Sequence, residues 1–405
     1  MRAFPTALLC MAPVLSCTLS PHCLAQRWED KVLPIELTVG YAVRAIDLNA
    51  DRKLDIAIVD SKRIVWLENP SWTVHTIDQT PDGQADNVCF APLDIDADGD
   101  LDLAIGGDWQ PNNTTSGGSL AWLESPSDPT QRWTRHAIAD DLPTLHRIQW
   151  ADIDADQQME LIVVPLKGRA SQPPGWDDQP VAVTRWNPPA TPANSPWKSE
   201  IIESTLPVMH NFQPIDFDGD RRHDLLLASF EGVHLWTQPD PSQPRQLIRL
   251  GVGHAGAAPA KGASEIRMGL LSKSQRFLAT IEPWHGNQVV VYEQPSSDHP
   301  LAEIPWPRKI LDNQLQWGHA VACANLDQDA EEELIIGVRD NLESHRCGVR
   351  LYDRQPDGSW ARSLMAPGQV AVEDLTVADL DGDGRQEIIA VGRATHNAVI
   401  YRQVP

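Results

Sequence analysis

Six stretches of the chain carry oxygen donors at positions 1, 3, 5 and 9 of a short loop, and each runs into an apolar segment. The donors are Asp47, Asn49, Asp51 and Asp55, then Asp94, Asp96, Asp98 and Asp102, then Asp152, Asp154, Asp156 and Glu160. The pattern returns as Asp216, Asp218, Asp220 and Asp224, as Asn325, Asp327, Asp329 and Glu333, and as Asp379, Asp381, Asp383 and Glu387. Carboxylates this close repel one another unless a divalent cation lies between them, and an all-oxygen donor set at alternate positions suits a hard cation such as calcium. Near-identical loops cannot all be one active site. The expected role is structural, with up to six calcium ions each tying two strands together.

A second set of chemically able residues breaks the repeat. Six positions before the first donor of each unit stand Tyr41, Val88, His146, His210, Gly262, His319 and Glu373. Equivalent positions on equivalent strands face one ring, and six residues at about 3.3 Å each put that ring roughly 20 Å from the acidic loops. Connections on the same face add Arg169, Trp284, His285, Asn287, Arg339, His345, His396 and Asn397. The run Ile281-Glu282-Pro283-Trp284-His285-Gly286-Asn287 lies in the one unit that lost its acidic loop, where the same register holds Met268, Leu270, Ser272 and Arg276. Converging neutral imidazoles make a transition-metal site, and three ligands with an open position form the catalytic zinc arrangement. The expected ligands are His146, His210 and His285, with His319 and Glu373 as acid/base groups and Arg44, Arg147, Arg169 and Trp284 lining a polar cleft. Spacing alone leaves open whether His285 or His319 completes the triad. Such a site suits hydrolysis or elimination of water.

The elements that must position these residues repeat about every 50 residues. Each unit has an inner strand, the acidic loop, a second strand and two outer strands. Third strands are expected at Ile64–Leu67, Leu120–Leu123, Val181–Val183, Val233–Trp236, Val289–Tyr292, Val349–Tyr352 and Val399–Tyr401. Fourth strands are expected near Trp72, Trp133, Trp197, Gln246, Arg308 and Trp360. The seventh unit lacks one. Trp28-Glu29-Asp30-Lys31-Val32-Leu33 has the missing pattern, so the expectation is an all-β, seven-bladed propeller of four-stranded antiparallel blades, closed by an N-terminal strand in the last blade.

The net charge of −23 excludes nucleic acid and anionic membranes as partners. It is largely a metal-binding charge, since 25 of the 56 acidic residues lie in the six loops. Arg2, the apolar run Ala7 to Leu15 and Cys23-Leu24-Ala25 read as a cleaved secretory signal over residues 1–25, too short for a membrane span, leaving 26–405 as a single domain. Val14-Leu15-Ser16-Cys17 offers a lipoprotein alternative. The expected location is secreted or periplasmic. Cys10, Cys17 and Cys23 leave with the signal, and Cys89, Cys323 and Cys347 follow no spacing rule, so no disulfide framework is implied.

The acidic loops resemble those of FG-GAP, or VCBS-type, repeats of integrin α-chain propellers and many secreted bacterial proteins. That resemblance implies calcium in the loops and no particular activity. The histidine-lined mouth, His146, His210 and the Glu282–Asn287 run resemble the propeller part of the aldos-2-ulose dehydratases. This implies a zinc-containing lyase that removes water from keto-sugars, with a small carbohydrate as substrate. The cupin domains that follow the propeller in that family have no room here, so their isomerase step and dimerisation through them are not expected, and the protein is read as a monomer. The alternative is a non-catalytic propeller that binds a glycan or a protein on the same face.

Overall fold

The computed structural model describes residues 27–240, 242–295, 299–339 and 346–404. The signal-peptide reading and His345 lie outside them. Seven four-stranded antiparallel sheets form a ring. Their inner strands are Gly40–Ile46, Cys89–Leu93, Leu145–Ala151, Met209–Ile215, Ile266–Leu270, Gly318–Ala324 and Val372–Ala378, of blades 1 to 7 in turn. Each inner strand packs against those of the two neighbouring blades, and that of blade 7 packs against that of blade 1, so the ring closes. The last blade takes its outer strand from the other end of the chain: Arg27–Val32 pairs antiparallel with Ala398–Val404, from Arg27 opposite Val404 to Val32 opposite Val399. This pairing leaves no open edge between first and last blades.

Second and third strands are apolar almost throughout because both of their faces lie between blades. Asp55–Asp60 and Gly232–Thr237 are buried at every position. Fourth strands alternate and are largely exposed, as in Lys198–Glu203. They begin at Thr73, Thr134, Lys198, Gln246, Arg308 and Trp360, at or one residue beyond the expected positions. One third strand departs from expectation. In blade 3 it is Val183–Asn187 rather than Val181–Val183, with a long connection before it.

In the acidic loops the position-9 carboxylate acts as a staple. Asp55 is fully buried; its Oδ2 accepts from the Leu48 amide at 3.1 Å and its Oδ1 from the Asn69 amide at 2.8 Å, joining the loop to the end of the third strand. Asp102 does the same with Ile95 and Ser125, both at 2.9 Å. Carboxylate oxygens converge within 4.8 Å in several copies, including Asp94, Asp96 and Asp102, and Asp327, Asp329 and Glu333.

Blade 5 corrects the sequence register. Its inner strand turns at residues 271–275, five residues between the paired Leu270 and Arg276, where blade 1 has the eight residues 47–54 between Ile46 and Asp55. Met268 and Leu270 are therefore strand residues, not loop positions. Arg276 stands where other blades have the buried carboxylate, and its guanidinium donates to the Phe217 carbonyl at 2.6 Å in the neighbouring blade. The Arg276 guanidinium thus bridges blade 5 to blade 4.

Candidate functional site

The ring residues sit on β-bulges. In blades 1, 3, 4, 6 and 7 the register between inner and second strands slips by one at Tyr41, His146, His210, His319 and Glu373. In blade 2 the Val88 amide donates to the Gly106 carbonyl, the residue that Cys89 already faces. A bulge inserts one unpaired residue and re-aims its side chain, which here turns three histidines, a glutamate and a tyrosine toward one end of the channel. Because the blade 5 turn is three residues short, its ring residue is Glu265, between Ser264, bonded to Ile281, and Ile266, opposite Thr280. Gly262, reached by counting from an acidic loop that blade 5 does not have, lies outside the ring strand.

His285 comes to the ring from above. Its loop is anchored by Glu282, fully buried, which accepts from the Tyr292 hydroxyl at 2.6 Å and from Arg308 Nε at 2.8 Å. The turn is closed by Gly286, where a Cβ would stand 2.3 Å from the Pro283 carbonyl oxygen. His285 itself has φ 49°, a left-handed conformation that non-glycine residues keep only where surroundings impose it. Trp284 stacks on its imidazole at 4.4 Å with 12° between planes, and Phe230 meets the indole edge-on at 5.9 Å.

Three imidazoles meet at the mouth. His210, His285 and His319 each offer a ring nitrogen, all within 4.8 Å of one another. Nε2 of His210 and Nε2 of His285 lie 2.6 Å apart. Behind His210, its Nδ1 lies 2.5 Å from Glu265 Oε1, off the hydrogen-bonding direction, and Asn211 holds the other carboxylate oxygen. His319 Nδ1 donates to the Glu373 carbonyl at 2.5 Å, which leaves Nε2 with its lone pair. His146 stands beside the trio, its ring 4.6 Å from that of His210. Its Nδ1 donates to the His210 carbonyl at 3.0 Å, and its Nε2 accepts from Arg147 Nη1 at 3.2 Å.

Burial, then nearby guanidinium groups or histidines, pushes all four imidazoles well below the usual histidine range, so they are neutral and keep their lone pairs. Burial also raises the Glu265 carboxyl. Glu373 accepts from Arg339 Nη1 at 3.0 Å and from Arg393 Nη1 at 3.0 Å. Arg339 Nη2 reaches Nδ1 of His285 at 3.3 Å.

The donor set suits a transition metal: three buried neutral imidazoles, one backed by a carboxylate and one by a backbone carbonyl. Tetrahedral coordination at 2.0–2.1 Å implies about 3.3 Å between nitrogens, so His210 and His285 must part by under an ångström. Arg339 must also leave Nδ1 of His285, and its two bonds to Glu373 hold it when it does. Arg44 and Arg169 are not in this group. Arg44 lies lower in the channel, paired with Asp374 at 3.1 Å, and Arg169 turns outward to Asp141 at 3.2 Å.

Fold and site together define a seven-bladed propeller with a buried polyhistidine pocket at one channel mouth. Residues 117–295 match the family model of the aldos-2-ulose dehydratase β-propeller domain. Aldos-2-ulose dehydratase of Phanerodontia chrysosporium is 24% identical over 372 residues, covering 87% of this chain and 40% of that protein. The chain thus spans about 40% of the length of this curated relative, and the resemblance to the propeller part of these enzymes rests on the family model. Among solved structures, a chain of the mitotic checkpoint complex aligns over 100% of this chain and 99% of its own, at 10% identity and TM-score 0.56. The Swd1 β-propeller domain of Myceliophteria thermophila aligns over 93% of this chain and 100% of its own, at 11% identity and TM-score 0.51. At such identities these likenesses show the fold alone.

Proposed function

We propose that this protein is a zinc-dependent carbohydrate dehydratase, a lyase acting on a keto-sugar at the channel mouth of a secreted or periplasmic, monomeric propeller whose FG-GAP-like loops bind calcium. The observation that carries the reading is the convergence of His210, His285 and His319 on one point. Likeness to a carbohydrate dehydratase supports it.

Zinc held by these three imidazoles supplies Lewis-acid polarisation of a carbonyl or hydroxyl oxygen. The rest falls to the protein. Glu265, 2.5 Å from Nδ1, backs His210 with a carboxylate, and the Glu373 carbonyl fixes the tautomer of His319. His146, outside the trio, is the neutral group able to take a proton at Nε2 from carbon next to the carbonyl. Arg147, now on that nitrogen, must turn away as the proton arrives. Among the described residues the Trp284 indole N–H has no hydrogen-bond partner, and it is a donor for a sugar hydroxyl.

The test is metal analysis of the purified protein beside an assay for loss of water from keto-sugars. About one zinc per chain, with turnover lost on chelation and restored by zinc, is expected. A protein without zinc that turns over no keto-sugar refutes the proposal.

One observation favours the second reading, a glycan-binding module. Trp317, just before the inner strand of blade 6 on the same face, is 62% exposed. Exposed indoles stack on sugar rings with or without chemistry. Glycan binding unaffected by chelation would favour it.

A further inference from the structure

Below the histidines the channel narrows to a small chamber of about 20 Å³. Its wall draws on six blades: Arg44, Phe90, Arg147, Asn211, Arg267 and Asp374. Arg44 and Gln149 also line the wider opening of about 340 Å³ beneath, as does Arg267, so the two spaces adjoin.

The charges around this chamber do not balance. Arg44 has its acid in Asp374, at 3.1 Å. Among the described residues, neither Arg147 nor Arg267 has a carboxylate within 4.0 Å. Arg147 Nη1 is spent on the carbonyl and Nε2 of His146, each at 3.2 Å, and Arg267 Nη1 on the Ile266 carbonyl at 2.6 Å. Glu265 interacts electrostatically with both, but its oxygens face His210 and Asn211. Cys89 also lines the chamber, its thiol pushed up to about 12 by burial and so uncharged. Arg44, Arg147 and Arg267 against Asp374 and Glu265 leave one positive charge in excess. Arg147 and Arg267 are half-buried, and a partly desolvated cation without a carboxylate is a place for an anion, which a water in the chamber would not replace in charge.

We infer that the chamber is a site for one small monovalent anion of halide type, held between the guanidinium groups of Arg147 and Arg267 with the Asn211 amide beside it. The small size of the chamber and the single excess charge favour a small monovalent anion over a dianion. Bound there, the anion lies beneath the histidine pocket and gives the Arg147 guanidinium a partner when it leaves Nε2 of His146. The site does not depend on zinc or on the dehydratase reading.

The experiment uses the full chain. Crystals soaked in bromide are measured at the bromine edge, and thermal unfolding is followed in chloride and in gluconate at equal ionic strength, for wild type and Arg267→Gln. One anomalous peak between Arg147 and Arg267 is expected. Chloride should raise the midpoint by several degrees in wild type with a millimolar half-saturation, and that half-saturation should rise at least 10-fold in Arg267→Gln. If Arg267→Gln does not fold, Arg267→Lys serves in its place, with the half-saturation again raised. No bromide peak in wild type, or equal midpoints in chloride and gluconate, means the chamber holds water and overturns the inference.

Discussion

Nε2 of His210 and Nε2 of His285 stand 2.6 Å apart although one belongs to the inner strand of blade 4 and the other to a loop of blade 5. Two imidazole lone pairs cannot face each other at that distance without a proton or a cation between them. With Arg339 donating to Nδ1 of His285, that ring carries its proton on Nε2 and donates it to His210. The pair is therefore closed by a hydrogen bond where a metal would otherwise sit, and proton and metal compete for the same two atoms.

The choice of third ligand can be read directly. Changing His210, His285 or His319 to Ala should each abolish zinc binding at one equivalent, whereas His146→Ala should keep the metal and lower turnover 10²-fold or more, as for a lost acid/base group. Metal content and dehydration rate of the four variants decide it. Zinc lost in His146→Ala and kept in His319→Ala would restore the set His146, His210 and His285.

Glu265 acts through His210. Glu265→Gln should weaken zinc affinity about 10–100-fold while leaving the thermal midpoint of the metal-free protein near that of wild type. Competition with a zinc chelator measures it, and an unchanged affinity would reduce Glu265 to a structural acid.

Calcium removal should reverse the pH dependence of stability. Burial raises the staple carboxylates to about 6 for Asp55 and Asp224, about 7 for Asp102 and Glu160 and about 8 for Glu333. Without a cation, their ionisation in the folded state costs stability, so in chelator the protein should lose stability as pH rises from about 4 through 8. Saturating calcium should restore it at pH 8, by about 2.7 kcal/mol for each site held at 100 times its Kd. Denaturant titrations in calcium and in chelator show the crossing; parallel curves would count against calcium in the loops.

Acid should act in the opposite sense through buried histidines. His234, in the third strand of blade 4, is pushed down to about 4 by burial and by Arg249. Its unfolded form takes up a proton near 6.5, so its contribution is whole above that pH and is lost as pH falls from 6.5 to about 4. The amount is on the order of 3 kcal/mol. His234→Gln should flatten this part of the stability profile, with equilibrium unfolding at pH 7 and pH 5 as the check.

Gly286→Ala should disable the site without unfolding the ring. The new Cβ meets the Pro283 carbonyl oxygen at 2.3 Å and must push the Trp284–His285 turn outward. Zinc affinity is expected to fall at least 10-fold with little change in far-UV circular dichroism; wild-type zinc binding would show that the turn tolerates the methyl group.

Repetition made most of the fold legible in the chain. Six acidic loops each marked the same strand junction, apolar runs marked second and third strands, and Trp28 to Leu33 announced the closing strand. These features are local and repeated, so one register served six blades. His210, His285 and His319 were all visible as repeat-breaking residues, and His285 stood out because Glu-Pro-Trp-His-Gly occurs once. What sequence counting could not supply was the seventh register, because a turn shortened by three residues leaves no mark in a pattern defined by the longer loop. That slip hid Glu265. Nor could spacing rank His146 against His319, since both hold the same ring position. The tertiary fold separates them: Arg147 occupies the Nε2 lone pair of His146, and the Glu373 carbonyl takes the Nδ1 proton of His319 and leaves its Nε2 open. Ring position follows from chain register, whereas which lone pair remains available depends on neighbours brought in from other blades.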